Sequence, residues 1–480
     1  MEWQMLIFTR LSLDDNTPKI ITDQTGILSS GAFISWANKK NIDCQYASSI
    51  SQILALTTNA ANSCIITSLN TIPAFITHKF IHCTYSFTDL PLNGDIHKAL
   101  PECTADDIVL LLDYVFETNR HQVLSRHDIS KLLHASRSHQ SNKEIDELLG
   151  SVSRLLLQTP SVHHILELSD IWGKLMYLSS KTKRNNYYNL IPQIDSYAEQ
   201  FVMQGGMEQA FYASTSGSPK TVDKLLANIK SHKGEKVALL CFDCMGFSEW
   251  CLLQEYLSVL QLSFETCPVF TLLPSVTSVS RSAIFQGNTD VYNLKSPSRK
   301  TEAKAFASYF SDKETAYFTE KESITDDSLT GYNYISILFN FFDDLCHSVQ
   351  FPASVQTKDL YFDAVRAYLE KSNLLQVLQT LQTNGFAIYL CSDHGSVVAK
   401  GNGQPLDKYL VDKFAKRAVI VSADTDNLID LKKINIPFVD DKRIVLPEGR
   451  TMFAHGNKTE VNHGGITIEE MIVPFIRVIK

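Results

Sequence analysis

Lys236-Val237-Ala238-Leu239-Leu240-Cys241-Phe242-Asp243, with Cys244-Met245-Gly246 directly behind it, is the stretch on which the fold turns. An apolar run of this length followed by a Gly turn reads as a strand buried on both faces, as inside a parallel sheet. Ligands of such sheets sit beyond the carboxyl ends of the strands, where Asp243 falls. A carboxylate there is costly unless it is paired or holds a metal. Two later stretches repeat the pattern. Tyr334-Ile335-Ser336-Ile337-Leu338-Phe339-Asn340 runs into Asp343 and His347, and Phe386-Ala387-Ile388-Tyr389-Leu390-Cys391 runs into Asp393-His394-Gly395. Three apolar strands, each ending in acid or acid plus His, point to a metal site.

Outward from that stretch, residues 220–480 keep alternating strands and helices, the mark of a layered α/β architecture. The polar segment 290–328 interrupts the alternation and reads as an insertion over the site or as a loop. On the N-terminal side, Ala213-Ser214-Thr215-Ser216-Gly217-Ser218-Pro219 is small and polar and makes the best linker in the chain. Before it, residues 104–212 read as a helical domain: Thr104-Ala105-Asp106-Asp107 resembles a helix N-cap with an acidic first turn, and amphipathic periods follow. Residues 1–103 mix short apolar runs with helical stretches and read as a small α/β domain. A chain of 480 residues is too long for one ordinary core, which agrees with this division.

Composition narrows the class. A hydrophobic share of 44% with 20% charged residues is ordinary for a soluble globular protein, and a net charge of −8 with no dense basic run argues against a broad nucleic-acid-binding face. No apolar stretch approaches the roughly 20 residues of a membrane span, and the opening residues lack the pattern of a signal peptide. The ten cysteines are scattered, often inside apolar runs, as reduced buried thiols would be. A cytoplasmic location is expected.

The chemistry sits at a few stations. Pro274-Ser275-Val276-Thr277 precedes a helix that carries Arg281, which places the Thr277 hydroxyl at a helix N-terminus, a favoured place for phosphate. Asp343 and His347, four apart, point the same way on a helix and can converge on one ion. Asp393-His394 offers adjacent ligands, and His463-Gly464-Gly465 comes just before the closing strand. Cys241 and Cys244 bracket Asp243 as Cys-x-x-Cys, but a zinc knuckle needs a second pair, so Cys241 reads as pointing into the sheet.

Asp after a strand, Pro-Ser-x-Thr, Asp-x3-His, Ser-Asp-His-Gly and a late His-Gly-Gly, in that order, resemble the alkaline phosphatase superfamily. Within it, the Pro-Ser-x-Thr…Arg281 run and the ending His-Gly-Gly-Ile-Thr-Ile-Glu-Glu-Met-Ile-Val-Pro resemble PglZ domains, which occur in BREX-type phage-defence systems and in some response regulators. The resemblance covers roughly 232–480. It implies an alkaline-phosphatase-like mixed or parallel sheet flanked by helices, with the small α/β and helical domains ahead of it. It also implies two divalent ions, Zn²⁺ expected and Mn²⁺ or Mg²⁺ the alternatives. One would be held by Asp243, Asp393, His394 and the Thr277 oxygen, the other by Asp343, His347 and His463. Thr277 would be the nucleophile and Arg281 a brace for a phosphate oxygen. The expected function is a metal-dependent phosphoesterase, a phosphodiesterase, nuclease or phosphatase acting on nucleotide or nucleic-acid esters such as an oligonucleotide or cyclic nucleotide. Its expected setting is anti-phage defence or signalling alongside defence-system proteins. The alternative is a non-catalytic interaction subunit of a defence complex.

Overall fold

The structure is a computed structural model. It describes residues 2–13, 17–59, 64–78, 80–119, 121–231, 236–293, 297–310, 314–349, 351–352, 355, 357–405, 415–424 and 431–479. The chain divides into two compact units, Met1–Glu144 and Ile145–Lys480. The first is built on a four-stranded parallel sheet in the order Cys44–Ala47, Cys64–Thr67, Lys19–Asp23, Ile81–Tyr85. Trp3, Ile21, Phe33, Ile66 and Leu111 fill its core.

The second unit is organised around a six-stranded sheet in the order Ser263–Phe270, Ile472–Ile479, Phe386–Ser392, Lys236–Phe242, Tyr334–Phe339, Thr315–Thr319. The last four run parallel, and Ile472–Ile479 is antiparallel to both of its neighbours. The sheet is mixed and flanked by helices. Lys236–Phe242 is central, and its side chains divide between two cores as the two-residue period of a strand requires. Ala238, Leu240 and Phe242 join one core, and Val237, Leu239 and Cys241 join the other. Each fully buried Leu or Phe contributes about 1.5–3 kcal/mol, so this strand anchors both layers.

The first of these cores draws on residues on both sides of the polar stretch 213–219. Trp172, Leu175 and Phe201 pack with Ala238, Leu240 and Phe270, and the Phe201 and Phe270 rings stack at 5.3 Å. Trp172 is wholly buried, and its indole N–H donates to Glu469 Oε1 at 2.9 Å.

The 290–328 segment differs from an insertion or an unstructured loop. Its described residues include the helix Arg299–Phe310 and the strand Thr315–Thr319, which pairs with Tyr334–Phe339. This strand lies at the edge of the sheet and is mostly half-buried, so it lacks the apolar run that marks the central strands. None of the ten cysteines forms a disulfide, and Cys241 is buried in the core.

Candidate metal centre

The carboxyl ends of the parallel strands converge on one place. Asp243 follows Lys236–Phe242, and Asp393 and His394 follow the neighbouring Phe386–Ser392. Asp343 and His347 lie on the helix Phe341–Ser348, entered from the strand on the other side of Lys236–Phe242. Thr277 is the first residue of the helix Thr277–Gln286. His463 arrives by a different route. The strand Thr459–Asn462 pairs antiparallel with Val397–Gly401, Asn462 opposite Val397, which returns His463 to the end of the strand that carries Asp393. The turn after Asp243 needs a left-handed residue, and Cys244 supplies it at φ +69°.

Two clusters result. In the first, Thr277 Oγ1 lies 2.8 Å from His394 Nε2 and 3.3 Å from Asp243 Oδ1, and His394 Nε2 lies 3.4 Å from Asp243 Oδ1 and 3.9 Å from Asp393 Oδ2. In the second, Asp343 Oδ1 is 3.1 Å from His347 Nε2 and 3.6 Å from His463 Nε2. The stacked His394 and His463 rings, with centroids 4.0 Å apart, join the two. Ligand atoms around a tetrahedral Zn²⁺ with bonds near 2 Å stand about 3.3 Å apart. The observed separations scatter about that value, and each cluster's donor atoms lie within 4.8 Å of one another. Asp393 Oδ2 and both His463 ring nitrogens are buried without a hydrogen-bond partner among the described residues. Such orphaned polar atoms are costly in a protein interior, and a cation satisfies the carboxylate oxygen and the bare imidazole nitrogen among them. The donor sets fit two divalent ions.

The surrounding hydrogen bonds orient these donors. Asp393 Oδ1 accepts from the backbone N–H of Cys244 and of His394, which turns Oδ2 toward the cluster. His394 Nδ1 donates to the Gly395 carbonyl at 3.2 Å, leaving Nε2 as the bare nitrogen that the Thr277 hydroxyl meets. Burial pushes His463 down to about 4 and also lowers His394, so both imidazoles are neutral donors at neutral pH. Burial first, and the adjacent Asp243 second, hold Asp393 well above the usual carboxylate range; a cation reverses that preference. Around His463, Arg417 pairs with Glu470 at 2.7 and 3.1 Å, Glu470 accepts from Gly465 N–H, and Ser275 donates to the Gly465 carbonyl.

Arg281, expected as a brace for a phosphate oxygen, lies against acids in the structure. It is 8% exposed, its Nη1 donates to Asp243 Oδ2 at 2.5 Å and its Nε to Glu302 Oε1 at 2.7 Å. Two of its donors therefore engage acids. Glu302 in turn accepts from the Tyr317 hydroxyl at 2.6 Å. Glu302 and Tyr317 are missing from the sequence reading because they lie in the polar segment 290–328, where nothing in spacing or composition distinguishes them from surface residues. A cleft of about 610 Å³ lies elsewhere in this unit, lined by Asp195, Lys400 and Arg450 among others, and holds no member of either cluster.

No curated protein matches the sequence. Among solved structures, an inactive variant of murine ectonucleotide pyrophosphatase/phosphodiesterase 5 in complex with AMP aligns over 50% of this chain and 87% of its own, at 10% identity and a TM-score of 0.31. The human ectonucleotide pyrophosphatase/phosphodiesterase 5 aligns over the same shares at 12% identity and a TM-score of 0.32. The sequence model of the BREX system PglZ alkaline phosphatase-like domain matches residues 222–478, more than half of the chain, from before the strand leading to Asp243 to past His463. Sheet, strand-end acids and family match concern the same residues, and the chain belongs to the PglZ family of alkaline phosphatase-like domains.

Proposed function

We propose that the chain is a metal-dependent phosphoesterase that holds two divalent ions, Zn²⁺ first, and attacks phosphorus with Thr277. One observation carries this reading: the Thr277 hydroxyl, half-buried at a helix N-terminus, is within 3.3 Å of donors of the first cluster. Asp243, Asp393, His394 and Thr277 would hold one ion, and Asp343, His347 and His463 the other. Divalent cations held there supply Lewis acidity, lowering the pKa of a hydroxyl or water and neutralising phosphoryl oxygens. Thr277 Oγ forms the bond to phosphorus as the bond to the ester oxygen breaks, and the departing oxygen takes the electron pair and a proton. Water then attacks the phosphothreonine, and Thr277 Oγ leaves with the electrons of its bond and takes the proton the water gives up, which restores the hydroxyl. The positive end of the Thr277–Gln286 helix favours the phosphate throughout. His394, bare at Nε2, and Asp243 orient the hydroxyl.

Nucleotide or nucleic-acid esters are the proposed substrates, and a defence complex is the proposed setting; membership of a BREX-system alkaline phosphatase-like family supports the setting and a phosphate ester as the substrate class. The test compares bis-p-nitrophenyl phosphate with p-nitrophenyl phosphate as substrates, with Zn²⁺, Mn²⁺ and Mg²⁺ added separately. Metal-dependent hydrolysis of either ester is expected. Absence of turnover with every metal, in protein shown to carry two ions, would refute the enzymatic reading.

A further inference from the structure

Arg281 poses a physical problem for the first cluster. A guanidinium among carboxylates that are to hold a divalent cation competes with that cation, since both answer the same negative charge. Its Nη1 is 2.5 Å from Asp243 Oδ2 and 3.9 Å from Asp393 Oδ2. Asp393 Oδ2 is a buried acceptor with no hydrogen-bond partner among the described residues, so a shift of about 1 Å would bring Nη1 to hydrogen-bonding range of it. Arg281 would then bridge the two acids where an ion belongs.

The opposite edge of the guanidinium shows what resists this shift. Glu302, 3% exposed on the helix Arg299–Phe310, takes Nε at 2.7 Å. Its second oxygen is held by the hydroxyl of Tyr317, itself fixed on the edge strand Thr315–Thr319. The Asp243 carboxylate is thereby divided: Oδ2 faces Arg281, while Oδ1 faces Thr277 and His394. Charge agrees with geometry. Asp243, Asp393 and Glu302 against Arg281 leave two negative charges, which one divalent cation balances.

We propose that Glu302, held by Tyr317, is a positioning residue that draws the Arg281 guanidinium away from Asp393 and so reserves Asp243 Oδ1 and Asp393 Oδ2 for a divalent cation. This rests on the two-ion reading of the site. Without the Glu302 charge, Arg281 relaxes onto the two acids and the first cluster binds metal more weakly. Arg281 pairs with Asp243, Glu302 and Asp393, all outside the second cluster of Asp343, His347 and His463, whose affinity should therefore hold.

The test measures Zn²⁺ affinity on the full chain by competition with a chromogenic chelator, for wild type, Glu302→Gln, Glu302→Asp and Tyr317→Phe, with thermal unfolding in parallel. Glu302→Gln is expected to weaken one of two sites by about 10–100-fold and to leave the other unchanged. Glu302→Asp should recover part of the loss. Tyr317→Phe, which removes a single hydrogen bond and preserves packing, should weaken the same site less, and it decides the matter if Glu302→Gln fails to fold. Two ions bound with wild-type affinity in a folded Glu302→Gln variant, or in Tyr317→Phe if Glu302→Gln does not fold, would overturn this role alone. A wild-type protein that binds no Zn²⁺ would overturn it together with the metal reading. Equal weakening of both sites would make Glu302 a structural residue only and would also overturn it.

Discussion

At the scale of single residues, the hydroxyl of Thr277 separates attack by the protein from attack by water. Thr277→Ala should lower turnover by about 10³-fold or more while both ions stay bound, because six other donors remain. Thr277→Ser keeps the hydroxyl and should retain appreciable activity, reduced because the lost methyl frees the rotamer. Two displacements at phosphorus also predict net retention with a chiral thiophosphate diester. Net inversion would demote Thr277 to a phosphate-binding residue and leave the metal clusters standing. A second prediction separates the clusters: Asp343→Ala/His463→Ala should bind one ion instead of two by elemental analysis. Full metal content in that double variant would remove Asp343 and His463 from the ligand set.

At the scale of elements, the site depends on backbones that nearly touch. A Cβ built on Gly395 would fall 1.9 Å from the Glu469 carbonyl oxygen and 3.1 Å from Gly246 Cα. The strand end, the turn after Asp243 and the short helix Ile468–Met471 meet there, and backbone cannot yield as a flexible side chain does. Gly395→Ala should therefore cost about 1–3 kcal/mol by overpacking, read as a lower urea midpoint, and should reduce bound metal. Gly150 is the contrast, since it lies inside the helix Ile129–Leu156 with nothing within 4 Å of an added Cβ. Gly150→Ala should stabilise by about 0.5–1 kcal/mol through helix propensity. Melting curves of the two variants should move in opposite directions.

At the scale of the whole molecule, the core shared by Trp172, Leu175 and Phe201 with the central strand ties residues before the 213–219 stretch to those after it. A fragment beginning at 145 should fold and bind Zn²⁺. One beginning at 220 should expose the sheet face those residues cover and aggregate, which size-exclusion chromatography of the two fragments would show. Comparable monomeric, metal-binding behaviour of both would establish 220–480 as an independent domain. Ligand binding to the folded state alone contributes about 2.7 kcal/mol at a hundredfold excess over Kd. Chelation should thus lower the melting temperature of the second unit, and added Zn²⁺ should restore it. No helix among the described residues is long and apolar enough to cross a membrane.

Much of the site is legible in local sequence because the signals are local. An apolar run ending in an acid places Asp243, the spacing of four places Asp343 and His347 on one side of a helix, and adjacency places Asp393 beside His394. All of these stations lie within residues 222–478, the span of the family match. What local sequence cannot carry is partnership across strands. Lys236–Phe242 lies between Phe386–Ser392 and Tyr334–Phe339 because of the sheet's order, and that order places Asp243 between the other two acids. His463 joins them only through the antiparallel pairing of Thr459–Asn462 with Val397–Gly401. Arg281 reads as a residue one turn beyond Thr277, yet packing turns it toward Asp243 and Glu302. Glu302 and Tyr317 gain meaning only there, because an edge strand and its preceding helix carry ordinary polar sequence until burial gives each charge a specific partner.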